Sequence, residues 1–486
     1  MEGFENALQE ISQFRREGQI RLALDKLSAL VHSGTLTEME LPRVYEAYGL
    51  CYDNLGDMKR ATDALLQAVC ACKGPMLEQQ RQLYSEYLLL LHHLPGISAE
   101  ELRQRHWQYN DFFADCTIYT HQKKEKEKLR IGYISPDFRE HVMSYFSIQM
   151  LACRDRSRYE IFCYMTASQE DETTKQMKAL ADGWRNVSAV TNQAAAEIIY
   201  KDGIDILFDL AGHSGGGRTL QIAGHKPAPI QISGIGYFNT TGLAAMDYFL
   251  TDVYCDPVGA ADHFFREKLL RLPKSHLCYT PSETAVHCST EHAIHEGIVF
   301  GSFNSFSKIN EEVLDTWREI LRRVPGSRLV LKNTPNFWQQ EWRLEQKAQR
   351  AGFSKENLEI RSASRCYMPE YLGIDIALDT WPYPGGGTTC DALYMGVPVV
   401  SLAGQRHGSR FGYSLLSNAG IGQLTAFSKE EYIEKAVALA KAPQLLAALH
   451  RNLRNMLQKS PVMDGKQYVA DLERLYEKIW QDWLGK

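Results

Sequence analysis

The sequence predicts an α/β protein: two doubly wound, Rossmann-like domains preceded by an all-α region built from repeats. Three observations lead there. Residues 1 to about 115 hold no convincing strand and repeat themselves, residues from about 128 onward alternate strand-length apolar runs with helical stretches, and one such run feeds a glycine loop that opens a helix. Near-continuous apolar strands separated by helices mean a parallel sheet covered on both faces. At 486 residues the chain has room for roughly three domains of about 150 residues each.

The helical region comes first, at 1–122. Gly18, Ala23 and Leu27 recur as Gly56, Ala61 and Leu65, each 38 positions later. Around the second copy, Tyr45, Tyr48, Gly49, Tyr52, Gly56, Ala61, Leu65 and Ala68 follow the tetratricopeptide pattern: small residues lie where two antiparallel helices touch, and aromatics fill the layer between pairs. Two such units are fewer than a solenoid needs to stand alone, so they must lean on the rest of the chain. Ser98 reads as the N-cap of a further helix, with Glu100 and Glu101 in its first turn. His92 and His93, beside a run of leucines, read as helix surface. The charged run 122–128 reads as a solvated linker.

The first α/β domain, 128–285, is expected to carry strands at 129–135, 159–165, 204–210, 230–237 and 246–251. A polar stretch at 282–296 suits an interdomain connection. The second domain, 296–460, is expected to carry strands at 298–303, 327–331, 358–361, 374–379 and 397–402. The final segment, 461–486, places Leu472, Leu475, Ile479 and Trp483 at helical spacing and reads as a helix packing back on the preceding domains. Two doubly wound halves put a ligand in the cleft between them, beyond the carboxyl ends of the strands.

The chemistry concentrates at such ends. Gly385, Gly386 and Gly387 with Thr388, Thr389 and Asp391 join a strand to a helix, and free amides at a helix start beside glycines and hydroxyls make a place for a phosphate. A Walker loop would need Lys directly after its last Gly, so a nucleoside diphosphate held without that lysine is the better fit. The alternative is an ordinary strand-to-helix turn that uses Gly for its backbone angles. His141 follows the first strand, His213 the third, and Lys308 stands five residues after Phe303. A lone His is more often structural than catalytic, but titratable groups converging on one cleft point to a site. A cradle for a diphosphate and a lysine to neutralise it favour expulsion of a nucleotide leaving group without a metal ion.

Composition narrows the class further. Apolar content of 44% with 23% charged is ordinary for a globular protein, and a net charge of -5 argues against a nucleic-acid binder. The longest apolar run is far too short to span a bilayer, and the amino terminus has no signal-peptide pattern. Eleven cysteines without a C-x-x-C pair, together with no H-E-x-x-H, point to reduced thiols, a cytoplasmic location and no metal.

Several motifs in order carry a resemblance. Leu129 to Phe138 with His141, Asp202 to Leu207, Lys226 to Gln231, Gly236-Tyr237-Phe238-Asn239-Thr240-Thr241-Gly242, Met246 to Tyr248, Phe303 to Lys308 and Gly385 to Pro398 resemble the O-GlcNAc transferase and SPINDLY-like family, especially bacterial members with short repeat regions. The resemblance spans roughly residues 80–486. It implies a GT-B fold and an inverting transfer of a sugar, N-acetylglucosamine first, from a UDP donor to a protein hydroxyl. UDP-sugar is then a co-substrate, and no cofactor is implied. By position, Lys308 would meet the diphosphate, with Ser305 beside it. Gly386, Gly387, Thr388 and Thr389 would be the helix-start contacts, and Asp391 the ribose carboxylate. Ser364, Arg365 and Tyr367 align with the uridine segment, where Tyr367 stacks on uracil or packs under the sheet. His141 would stand near the donor sugar, with His213, Tyr237, Thr240 and Thr241 on the acceptor or donor-sugar side.

The sequence departs from the family at Ser305, where animal enzymes carry Gln, and at Gly387, where a threonine is usual. His141, Asp205 and the donor's own phosphate oxygen are the candidates for taking the acceptor's proton. An asparagine-directed glucosyltransferase and a non-catalytic repeat scaffold are the rival readings. The short repeat region allows delivery of a protein acceptor, docking on the catalytic domains or homodimerisation. Flagellin or another surface protein is an acceptor by analogy only.

Overall fold

The computed structural model describes residues 2–94, 96–293, 295–333, 341–364 and 366–485. Six α-helices come first among them: α1 (Glu2–Arg16), α2 (Ile20–His32), α3 (Leu41–Leu55), α4 (Met58–Ala71), α5 (Leu77–Leu91) and α6 (Ala99–Gln108). The repeated small and apolar residues are the ones that pack: Ala23, Leu27, Ala61 and Leu65 are all buried. A Cβ on Gly49 would stand 3.0 Å from Leu65 Cγ, so the missing side chain is what lets α3 and α4 approach. Ser98 caps α6 by accepting from the Glu101 amide.

These helices do lean on the rest of the chain. On one side, Leu83, Tyr84, Tyr87 and Leu88 of α5 share an apolar cluster with Ile134, Leu207, Leu220 and Ile222 of the first α/β domain. On the other, Gly56 ends α3 with φ 60°, the left-handed conformation that glycine adopts without cost. Arg343, on the helix Glu341–Arg350 of the second α/β domain, fills the space a side chain at Gly56 would take and donates to the carbonyls of Asp53 and Asn54.

The first sheet contains β1 (Leu129–Ser135), β2 (Tyr159–Met165), β3 (Gly183–Asn186), β4 (Ile206–Asp209), β5 (Ile230–Gly234), β6 (Tyr248–Asp252) and β7 (Lys268–Leu272), in the order β3-β2-β1-β4-β5-β6-β7. The second contains β8 (Val299–Ser302), β9 (Arg328–Lys332), β10 (Leu358–Arg361), β11 (Ile376–Leu378), β12 (Val399–Leu402) and β13 (Thr425–Ala426), in the order β10-β9-β8-β11-β12-β13. All pairings are parallel. Each sheet therefore reverses its winding once, between β1 and β4 and between β8 and β11.

Three strands lay outside the sequence expectation: β3, β7 and β13, all at sheet edges. An edge strand is paired on one side only and lacks the continuous apolar run of a central parallel strand. Gly183-Trp184-Arg185-Asn186 is half exposed, Lys268 and Arg271 interrupt β7, and β13 is two residues long. The closing helix, Gly465–Leu484, returns to the first sheet: Tyr476 Oη lies 3.2 Å from Tyr133 Oη on β1, and Tyr468 donates to the His276 carbonyl. Among the described residues no helix is long and apolar enough to cross a membrane.

Candidate active site

The loops after β8 and β11 meet where the second sheet reverses its winding, the point at which a doubly wound sheet leaves a crevice. One loop ends at Lys308; the other runs from Asp379 to Gly386 and opens the helix Gly387–Tyr394. The buried Asp379 carboxylate holds the second loop in shape. It accepts from the amides of Gly385 at 2.7 Å and Thr380 at 3.0 Å and from Ser401 Oγ at 2.7 Å. Thr388 Oγ1 ties the helix start to the other loop by donating to Asn304 Oδ1 at 3.1 Å. The first amide with an i−4 partner is that of Cys390, which donates to the Gly386 carbonyl. The amides of Gly387, Thr388 and Thr389 precede the helical ladder and are free for a ligand by position.

Lys308 lies against this loop. Its Nζ donates to the Pro384 carbonyl at 3.0 Å and stands 3.9 Å from the centroid of Tyr383. Both partners are neutral. Burial pushes the ammonium down to about 8, although the Asp379 carboxylate pulls the other way. A partly desolvated cation whose direct contacts are neutral, beside helix-start amides, has the chemistry to attract an anion.

His141 enters from the first domain. It is the N-cap of α7 (Val142–Ala152), and its Nδ1 accepts from the Met143 amide at 3.3 Å. Burial lowers the imidazole below its ordinary value, against the attraction of Asp137, whose Oδ2 lies 3.6 Å from Nδ1. The ring is therefore neutral at pH 7, with the capping role assigning its proton to Nε2. The two domains touch here: a Cβ on Gly387 would lie 2.3 Å from Val142 Cγ2.

One turn along the glycine-loop helix, the buried Asp391 accepts from Tyr279 Oη at 2.6 Å and Tyr367 Oη at 2.7 Å. Burial pushes its carboxyl up to about 6 in spite of both phenols. The Tyr367 hydroxyl is thereby committed to Asp391. Ser364 donates to Glu370, and the hydroxyls of Ser305 and Ser307 lie 2.9 Å apart. Arg365 lies outside the described residues.

The family profile described as glycosyl transferase family 41 matches residues 114–291 and 279–472. The chain belongs to that family. It is 37% identical over 408 residues to a probable UDP-N-acetylglucosamine–peptide N-acetylglucosaminyltransferase SPINDLY of Oryza sativa subsp. japonica, covering 81% of this chain and 44% of that protein. It is 35% identical over 407 residues, with the same coverages, to the protein of the same description from Petunia hybrida. The chain thus spans less than half the length of the curated relatives it matches. A solved mutant of the Thermobaculum terrenum O-GlcNAc transferase superposes with a TM-score of 0.79 at 29% identity, covering 99% of this chain and 98% of that one. The two winding reversals and this superposition make the fold GT-B.

Within this family-41 fold, Ser305, Lys308, Gly386, Gly387, Thr388 and Thr389 come together at one crevice, with His141 across it and Tyr367 bonded to Asp391 beside it. Other expected site residues lie elsewhere. Asp205 precedes β4, at the amino end of the sheet, about 13 Å of strand away from the end that faces the cleft. There it pairs with Lys126 at 2.6 Å and accepts from the Arg130 amide. His213, Tyr237, Thr240 and Thr241 follow strands of the first sheet but are fully buried. His213 bonds Ser85 of α5 and the Thr241 carbonyl, Tyr237 bonds His106 of α6, and both threonines donate to the buried Glu267. These four fasten the helical region and loops of the first domain; none presents a free polar group to the cleft.

His92 and His93 correct the sequence reading in the other direction. They are not helix surface: His92 packs its ring 4.7 Å from Phe238, and His93 lies 5.5 Å from Tyr383. Nothing local to the histidines signals this, because Phe238 and Tyr383 come from two other domains. Asp379 was readable only as the last residue of a strand. One further cluster, Asp252, Cys255 and His276, has metal-ligand types close together. Its carboxylate already accepts from the amides of Tyr254 and Cys255, from His276 and from Ser414 of the second domain, and next to it His407 bonds Asp256 across the same interface. These groups clamp the two domains together.

Proposed function

We propose that the protein transfers a sugar, N-acetylglucosamine first, from a UDP donor to a Ser or Thr hydroxyl of a protein acceptor, with inversion and without a metal ion. The observation that carries this is Lys308: a half-buried ammonium whose direct contacts, the Pro384 carbonyl and the Tyr383 ring, are neutral, placed against a glycine loop whose helix-start amides are free. The names of the relatives supply the UDP-sugar and the peptide acceptor.

The reaction is a single displacement. The acceptor oxygen attacks the anomeric carbon, the bond from that carbon to the phosphate oxygen breaks, and UDP leaves with the electron pair. Lys308 and the amides of Gly387, Thr388 and Thr389 take up the charge that develops on the diphosphate. Asp391 and Tyr367 hold the ribose end as one hydrogen-bonded unit. The hydroxyl proton needs an acceptor. His141 has its one lone-pair nitrogen engaged as a helix cap and so offers an N–H from Nε2 instead, and Asp205 stands at the wrong end of its strand. Of the three candidates, the donor's own phosphate oxygen is left, with His141 donating to the sugar or the acceptor.

The test incubates the purified protein with UDP-GlcNAc or UDP-glucose and a cell lysate, then maps mass gains to side chains. Gain on Ser or Thr from UDP-GlcNAc, absent in Lys308→Ala, is the expected result. Modification of Asn, or no binding of UDP by calorimetry, would overturn it.

A further inference from the structure

The end of α5 reaches the glycine-loop site from the helical region. After Leu91 the chain runs through His92, whose ring packs on Phe238 at 4.7 Å and whose Nε2 lies 3.4 Å from Tyr237 Oη. The next residue, His93, lies beside the Ser307 backbone, next to Lys308, and sets its ring against Tyr383 at 5.5 Å. Tyr383 in turn lies 4.4 Å from Phe238 on one side and carries the Lys308 ammonium on its face. Leu89 joins the same apolar group, with Phe411 of the second domain. One side chain of the helical region thus packs against the ring on which the lysine rests.

We propose that His93 is a positioning residue for Lys308, so that the helical region forms part of the diphosphate site in addition to any role in acceptor delivery. The inference rests on the UDP-donor reading above. A residue that fixes the Tyr383 ring, on whose face the ammonium lies at 3.9 Å, fixes that ammonium relative to the helix-start amides. Displacement of a charged group by even 1 Å is costly in a preorganised site. His93 suits the place because it is neutral: burial and the Lys308 charge together push its imidazole down to about 4. A second cation there would repel the lysine. The other groups acting on this pair are Asp379 at the end of β11, which favours the charged lysine, and Arg406, whose charge also opposes protonation of His93.

Calorimetry of UDP binding to the full chain tests this with His93→Ala, His93→Gln and, as a packing control, His92→Ala, each also followed by thermal melting. His93→Ala is expected to weaken UDP about tenfold or more, with the alkaline limit of binding moved upward as water reaches Lys308. His93→Gln, a neutral polar side chain of similar reach that can still cover Tyr383, is expected to recover most of the affinity. His92→Ala is expected to lower the melting temperature without that selective loss. Undiminished UDP affinity in His93→Ala, or an equal loss in His93→Gln, overturns the positioning role. Failure of the unsubstituted protein to bind UDP overturns the donor reading instead, so the two failures are distinguishable.

Discussion

Adding one methyl group at Gly387 tests the contact that joins the two halves of the cleft. Gly387 is the first residue of its helix, where alanine normally stabilises relative to glycine by up to about 1 kcal/mol. Here the new Cβ would stand 2.3 Å from Val142 Cγ2, more than an ångström inside ordinary contact. Val142 begins α7, directly after His141, and a β-branched side chain in a helix has almost no alternative rotamer to retreat into. Either the glycine loop or the start of α7 must shift, at a cost of about 1–3 kcal/mol typical of overpacking. The next atom, Val142 Cβ, lies 3.7 Å away, so truncating the valine removes the clash entirely. Gly387→Ala is therefore expected to lower both thermal stability and sugar transfer, and Gly387→Ala combined with Val142→Ala to regain both. Chemical denaturation of the four proteins in a double-mutant cycle, alongside UDP-GlcNAc turnover, measures the coupling. A single variant as stable and active as the parent, or strictly additive effects, would refute the reasoning.

Lys308→Ala is expected to weaken UDP binding by about a thousandfold, since two unit charges 4 Å apart at an effective dielectric of 20 attract by about 4 kcal/mol. Calorimetry reads this directly. With the ammonium pushed down to about 8, UDP affinity in the intact protein is expected to fall as pH rises through that value, because the charged form binds. The contribution to stability has the opposite sign: between about 8 and the ordinary lysine value the unfolded chain holds the extra proton, so raising pH across that window favours the fold by up to ~3 kcal/mol. Denaturant titrations at pH 7 and 10 compare the two. Thr241→Val leaves the buried Glu267 without one of its donors and is expected to cost about 1–3 kcal/mol of stability with KM for the sugar donor unchanged, as melting and steady-state kinetics would show. Asp205→Asn is expected to leave the pH profile of kcat intact; loss of its acidic limb would return Asp205 to the role of base.

The sequence by itself determined the order and type of nearly every central element, because parallel strands buried on both faces must be apolar along their length and helices between them must not. It also determined the repeat, the glycine loop and the lysine after β8, since each depends on residues adjacent in the chain. Edge strands such as β3 and β13 escaped it, having no continuous apolar run to display. Only the tertiary structure decided which polar residues at strand ends face the cleft. His141 and His213 are alike in sequence position, each following a strand, yet one caps a helix beside the glycine loop and the other is sealed under α5. The same holds for His92 and His93, whose partners Phe238 and Tyr383 come from two different domains. Burial and the approach of a distant side chain are properties of the packed molecule, and they set which groups are desolvated, charged and within reach of a ligand.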